Sequence, residues 1–207
     1  MMKSYTRVLA GGALVTAILM LCTSAAFAGR FQFSNATSTT FWRATWSSLE
    51  LRGGFGTVNC TLTLEGNLHS NTMTKTPSTL IGYVRVARTN GCGSFGGTIL
   101  SETLPWHLQY ESFTGTLPSI ASLSFKIIGF SLKIREPTFG ITCLYTTPAE
   151  GPMRETLNRE AGGVVRSATI FASLNTREGC GSTTLSGTSA TYEIPPAVST
   201  AITLTLI

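Results

Sequence analysis

Two cysteine-containing segments of this chain match each other. Cys60 and Cys143 each follow a Phe-Gly pair, and Cys92 and Cys180 each lie in a Gly-Cys-Gly-Ser motif. Cys60 and Cys92 are 32 residues apart, and Cys143 and Cys180 are 37 residues apart. Disulfide bonds hold distant backbone segments side by side, so they restrict the folds that a chain can reach. The repeat predicts a disulfide-stapled β-protein built from two related halves.

Residues 1–28 have the organisation of a signal peptide. Lys3 and Arg7 give a positive first region, residues 8–21 are apolar, and Ala26-Phe27-Ala28 has the pattern of a cleavage site. The apolar stretch is shorter than the roughly 20 residues that cross a bilayer as a helix. We expect cleavage directly after this motif and export to the cell exterior or envelope. An uncleaved membrane anchor is the alternative.

Cys22 lies inside the same segment and raises a second form of anchoring. A lipidated cysteine would tether the chain to a membrane. The preceding residue is Leu21, whereas a lipoprotein signal has a small residue there. We therefore expect export without lipidation.

The other four cysteines are predicted to form two disulfides, because exported proteins meet oxidising surroundings. The repeat favours Cys60–Cys92 with Cys143–Cys180, which puts one bond in each half. The alternative, Cys60–Cys143 with Cys92–Cys180, would join the halves to each other. The sequence leaves both pairings open.

Charge and composition restrict the kinds of partner. The formal net charge of +5 includes Lys3 and Arg7 of the predicted signal peptide. The remaining basic residues are scattered, whereas nucleic-acid-binding proteins carry a basic stripe or patch. We expect no nucleic-acid partner and no transmembrane helix in the mature chain. A polymer of the cell envelope or another surface protein is the partner that we consider instead.

Alternation of apolar and polar residues dominates the mature sequence. In residues 57–65 and 202–206 every second residue is apolar, which is typical of strands with one face in water. Within residues 122–135 the apolar positions change from odd to even at Ile127-Ile128. This change predicts a bulge or a sharp bend beside Gly129. Many such strands predict an all-β fold, an antiparallel β-sandwich or a barrel-like fold.

Residues 29–207 are expected to form a single all-β domain. We divide it into N-terminal strands at 29–52, a first half at 53–135 and a second half at 136–207. No linker-like composition separates the halves, so we do not expect independent domains.

One segment, residues 152–163, has a helical pattern. A proline begins it, Glu155 and Arg159 are spaced i,i+4, and two glycines end it. We therefore predict one short helix there.

Residues 91–96 match the GxGxxG motif of dinucleotide-binding proteins. In those proteins a helix follows, and its amino end meets the pyrophosphate. Here strand-like residues follow, and the second copy at 179–182 lacks the third glycine. We expect no cofactor and assign these glycines to tight turns around disulfides.

The two histidines, His69 and His107, lie in no metal-binding motif, and the cysteines are assigned to disulfides, so we expect no metal site. His107 and Glu111 fall on one face of a predicted strand beside Ser112. A histidine next to a carboxylate can act as a general base. A secreted hydrolase that uses His107 and Glu111 is therefore one hypothesis, although the chain has no aspartate for a Ser-His-Asp triad.

Trp42, Trp46, Trp106 and Tyr110 are candidates for ligand binding. On an exposed face such rings would form a platform for sugar rings or for the apolar patch of a partner. Large aromatic side chains of a two-layer β-protein more often fill the core. The sequence favours the core and leaves the platform open.

Residues 64–70, 104–107 and 113–118 resemble segments of a group of uncharacterised exported bacterial proteins. The resemblance spans most of the mature chain. It implies a bacterial, secreted, all-β protein and assigns no activity.

These features favour a secreted or envelope-associated non-catalytic protein with a binding or structural role. The first alternative is the secreted hydrolase. The further alternative is a small outer-membrane β-barrel, which the alternating threonine and leucine residues permit.

Overall fold

The computed structural model describes residues 30–34, 40–54, 56–117, 119–138, 140–148, 152–177, 180–189, 191–193 and 202–207. The predicted signal peptide, Cys22 included, lies outside the described residues. The fifteen strands of the described part are β1 (Arg30–Ser34), β2 (Phe41–Gly53), β3 (Gly56–Leu68), β4 (Thr72–Thr74), β5 (Leu80–Asn90), β6 (Gly96–Ile99), β7 (Trp106–Thr116), β8 (Ser119–Ile128), β9 (Ser131–Arg135), β10 (Thr142–Thr146), β11 (Met153–Arg159), β12 (Val164–Arg177), β13 (Thr183–Thr188), β14 (Thr191–Glu193) and β15 (Ile202–Leu206).

Eight strands form a closed antiparallel ring. They follow the order β2, β3, β5, β7, β8, β11, β12 and β13, and β13 pairs again with β2. Closure gives each of these strands two neighbours and removes the long exposed edge of an open sheet. The all-β prediction is confirmed, and the barrel-like form is the one observed.

The core lies inside this ring. Along β3, Val58, Leu62 and Leu64 are buried, and the threonines between them are only partly covered. Burying one such aliphatic side chain contributes about 1.5–3 kcal/mol. Alternation in the sequence therefore becomes an apolar interior and a polar outer face.

The long strand β12 connects the ring to two small groups of strands at its opposite ends. Its first residues, Val164 and Val165, pair with β15, which pairs with β1, and β1 pairs with β4. Its last residues, 175–177, pair with β10, which continues to β9 and β6. We call β1, β4 and β15 the first cap, and β6, β9 and β10 the second cap. The C-terminal strand thus pairs within its own chain.

Aromatic side chains join each cap to the ring. In the first cap Phe31 is fully buried, and its ring centroid lies 6.3 Å from that of Tyr110 and 5.6 Å from that of Phe113. Toward the second cap Phe130 packs 5.1 Å from Trp106. The caps therefore extend the core beyond both ends of the ring.

Two disulfides lie near the second cap. Cys60 is bonded to Cys92 and Cys143 to Cys180, the pairing that the repeat favoured. The glycines on both sides of Cys92 have positive φ, 60° and 62°, in a turn that suits glycine. Disulfides of this kind indicate an oxidising compartment.

The apolar phase change at Ile127-Ile128 marks a real bend. Strand β8 ends at Ile128, Gly129 has a φ of 100°, and β9 begins at Ser131. The chain passes here from the ring into the second cap.

The predicted helix at 152–163 is wrong. Residues 153–159 form strand β11, and only a three-residue 3-10 turn follows at Ala161–Gly163. Glu155 and Arg159 are an even number of residues apart, so their spacing also fits one face of a strand. This segment forms a strand because it pairs with β8 on one side and with β12 on the other.

Strands of the two predicted halves mix in the fold. β8 pairs with β11, and β9 pairs with β10, across the boundary between residues 135 and 136. β1 and β2 are strands within the predicted N-terminal segment. The relation between the halves stays a prediction from the cysteine repeat.

Candidate functional site

The four aromatic candidates from the sequence lie in the core. Trp46 and Trp106 are fully buried, and Trp42 and Tyr110 are almost fully buried. The Trp46 indole Nε1 donates a hydrogen bond to the Ala168 carbonyl oxygen at 3.2 Å. These side chains pack the interior and form no exposed platform.

The structure does not bring His107 and Glu111 together. His107 is exposed, whereas Glu111 lies at a β-bulge of the same strand, where the pairing of β7 with β8 shifts register between Tyr110 and Ser112. Both carboxylate oxygens of Glu111 accept hydrogen bonds from Arg154 at 2.5 Å. Among the described residues no hydrogen bond or ion pair links His107 to Glu111.

Two further observations concern metals and membranes. Across the part of the chain that the structure describes, no group of three His, Cys, Asp or Glu side chains is placed to hold a metal ion. His69 is exposed, and its ring lies 5.9 Å from the ring of Tyr83. No helix within the described ranges has the length and apolar character needed to cross a membrane.

Hydroxyl side chains form a row across the outer side of the ring. Strand pairing aligns Ser112, Ser124, Thr156, Thr169 and Thr188 on β7, β8, β11, β12 and β13. Neighbouring strands lie about 4.8 Å apart, so hydroxyl groups recur at about that spacing. Ser124 and Thr156 are hydrogen-bonded through their hydroxyl oxygens at 3.0 Å.

A second row runs beside the first. Thr114, Ser122, Asn158 and Ser167 are aligned on four of the same strands. Thr114 and Ser122 are hydrogen-bonded at 2.7 Å, and the Asn158 amide donates to Ser167 at 3.3 Å. We call the outer side of β7, β8, β11, β12 and β13 that carries these rows the hydroxyl face.

Phe171 is the exposed aromatic residue of the hydroxyl face, with 52% of its surface accessible. Thr169 and Ser173 flank it on the same side of β12, and both are exposed. Across the strands it is paired with Arg154 on β11 and with Ser186 on β13. An apolar ring is thus framed by three hydroxyl groups and one guanidinium group.

Sequence reasoning missed Phe171, although the signal was present. From residue 168 to residue 174, the buried residues of β12 are Ala168, Ile170, Ala172 and Leu174, all at even positions. The opposite parity of Phe171 predicts an outward ring once this alternation is followed.

Two cavities lie away from the hydroxyl face, one inside the ring and one at the first cap. Inside the ring Glu155 is buried beside a cavity of about 20 Å³ that Phe33, Trp42 and Leu108 also line. At the first cap an open cleft of about 160 Å³ is lined by polar and aliphatic side chains. The first has room for little more than a water molecule, whereas the second has room for a small ligand.

Comparison with protein-family models, with curated proteins and with solved structures finds no match for this chain.

Proposed function

We propose that this chain is an exported bacterial binding protein without catalytic activity, whose hydroxyl face holds a hydroxyl-rich polysaccharide of the cell envelope. The observation that carries the proposal is the position of Phe171, an exposed ring framed by hydroxyl groups on a rigid strand. Rigid strands hold binding groups with little loss of conformational freedom on binding.

The chemistry of this face matches that of a sugar ring. A sugar ring has an apolar side made of C–H groups, which packs against an aromatic ring, and an edge of hydroxyl groups. Thr169, Ser173 and Ser186 each carry one hydroxyl donor and two acceptor lone pairs. They can therefore pair with sugar hydroxyl groups in either direction.

Arg154 supports the same ligand class. Its Nε and Nη2 atoms donate to Glu111, which fixes the side chain over β8. The hydrogens on Nη1 are left for a further acceptor, such as a sugar oxygen. Glu111 neutralises the positive charge of Arg154. The contact between Arg154 and a ligand therefore favours neutral hydroxyl groups over strongly anionic polymers.

Export and surface charge support this role. The predicted signal peptide and the two disulfides fit a protein that works outside the cytoplasm.

The outer side of the ring also carries charged groups such as Arg43, Glu65 and Arg88, with Glu65 between the two arginines at 2.9 and 3.7 Å. Charged outer faces suit water better than lipid, which favours this proposal over the membrane-spanning alternative.

The hydrolase alternative has less support. A general-base histidine needs a partner that orients it, and the carboxylate expected to do so is bound to Arg154. Replacing His107 by Ala separates the two functions. A binding protein keeps its affinity for the polymer, whereas a hydrolase loses turnover.

The test is co-sedimentation of the exported protein with insoluble envelope polysaccharide from the producing cells. We expect saturable binding that persists in high salt, since uncharged contacts are screened little. Binding that survives removal of the polysaccharide but is lost after protease treatment of the envelope would identify a protein partner and contradict the proposal. Recovery of all protein free in the medium would also contradict it.

A further inference from the structure

The cleft at the first cap carries positive charge and hydroxyl groups. Its walls include Arg30, His69, Ser70, Thr72 and Thr74, and no carboxylate belongs to its described lining.

Arg30 is held in place by its backbone. Its N–H donates to the Ile207 carbonyl oxygen at 3.2 Å, and the Ile207 N–H donates back to the Arg30 carbonyl oxygen at 2.9 Å. On its other side Arg30 is paired with Thr74 of β4. Its side chain makes no ion pair within the part of the chain that the structure describes.

The hydroxyl groups of the cleft are also positioned. Ser70 Oγ accepts a hydrogen bond from the Thr72 backbone N–H at 3.2 Å and lies 3.3 Å from Thr72 Oγ1. Only one of the two hydroxyl hydrogens is used between Ser70 and Thr72, so the other can be donated to a ligand.

We propose that this cleft binds a small oxyanion, the carboxylate or phosphate group of a ligand, with Arg30 as its main electrostatic partner. A guanidinium group matches the paired oxygens of carboxylate and phosphate. The Ser70–Thr72 hydroxyl pair supplies an additional hydrogen bond, and Leu80, which is 47% exposed, gives an apolar wall for the rest of the ligand.

This site is separate from the hydroxyl face. The first cap joins β12 at Val164, seven residues before Phe171, which corresponds to about 23 Å along a strand. The two sites can therefore be occupied independently, and loss of one does not require loss of the other.

The test is titration of the exported protein with inorganic phosphate and with acetate, followed by NMR, with sodium chloride at matched ionic strength as the reference. We expect saturable shifts of the Thr74 and His69 amide signals with at least one oxyanion. Arg30→Gln should weaken that binding by about tenfold or more. Lys133→Gln removes the same charge at the second cap and should leave it unchanged.

Ser70→Ala separates a ligand role from a structural one. Ser70 is exposed, so a purely structural role predicts a small loss of stability and unchanged oxyanion binding. The proposal predicts the same small loss of stability together with several-fold weaker oxyanion binding. Shifts no larger than those with chloride, or equal binding in Arg30→Gln and Lys133→Gln, would overturn the proposal. Saturation by phosphate alone assigns a phosphate group and by acetate alone a carboxylate group.

Discussion

Arg154 on β11 reaches over β8 to Glu111 on β7, and two parallel hydrogen bonds of 2.5 Å join them. Glu111 lies at the bulge of β7, where the pairing of β7 with β8 shifts register. This pair fixes one corner of the hydroxyl face, next to Phe171. In the proposed function, Glu111 positions Arg154 beside the binding surface.

The Glu111–Arg154 pair should contribute little to stability. Arg154 is more than half exposed, so we expect a coupling free energy of about 0.5–1 kcal/mol. Glu111, through its hydrogen bond, raises the pKa of Arg154. The stabilisation from this raised pKa is present at every pH below the ordinary arginine range. It is lost only as the pH rises through the pKa that Arg154 has in the folded protein. A double-mutant cycle with Glu111→Gln and Arg154→Gln, measured by urea unfolding, checks this, and a coupling well above 2 kcal/mol would refute it.

Tyr110 should make the fold sensitive to alkali. Burial raises the pKa of Tyr110, so the unfolded chain loses this proton first as the pH increases. The stabilisation is complete below about pH 10, the ordinary pKa of tyrosine. It is lost as the pH rises through the pKa that Tyr110 has in the folded protein. We expect the free energy of unfolding to fall above about pH 10 in the wild type. It should fall less in Tyr110→Phe, and identical pH profiles would show that Tyr110 is not responsible.

Aromatic residues of the core and of the hydroxyl face should differ sharply in their effect on stability. Trp46→Ala empties a fully buried position and removes a hydrogen bond to Ala168, so we expect a loss of about 3–5 kcal/mol. Phe171→Thr changes an exposed strand position and should alter the free energy of unfolding by about 1 kcal/mol or less. Urea titration of both variants checks the contrast. Similar losses would mean that Phe171 belongs to the core.

Each disulfide should stabilise the fold by closing a long loop. Cys60–Cys92 and Cys143–Cys180 span 32 and 37 residues, which corresponds to about 3–4 kcal/mol each in the chain-entropy model. Replacing both cysteines of either pair by Ala should lower the urea midpoint by a similar amount for the two pairs. A variant that unfolds at the wild-type midpoint would show that its disulfide is dispensable.

Local patterns in the sequence predicted the strands and their faces. The alternation in residues 57–65 became β3, and the phase change at Ile127-Ile128 became the bend at Gly129. These features depend on neighbouring residues only, so the sequence contains them directly. The segment at 152–163 was misread because i,i+4 spacing fits both a helix and a strand, and only pairing with β8 and β12 distinguishes them.

The binding surface was harder to predict because it is assembled from distant strands. Thr156 and Thr169 meet only because β11 and β12 pair, and Ser124 joins them through β8. Nothing near Phe171 in the sequence shows that Arg154 and Ser186 are its neighbours. Ring closure is likewise set by long-range pairing, which local alternation does not encode.

Phe171 is the residue proposed to anchor a polysaccharide on the hydroxyl face. The most direct measurement compares Phe171→Thr with Phe41→Thr, since Phe41 is also exposed, at 40%, and packs near Arg85 outside this face. Threonine keeps strand preference at both sites, so stability changes should be similar. With insoluble envelope polysaccharide we predict about tenfold weaker binding for Phe171→Thr, near 1.4 kcal/mol, and wild-type binding for Phe41→Thr. Equal affinity of wild type and Phe171→Thr would contradict the proposal that Phe171 anchors the polysaccharide.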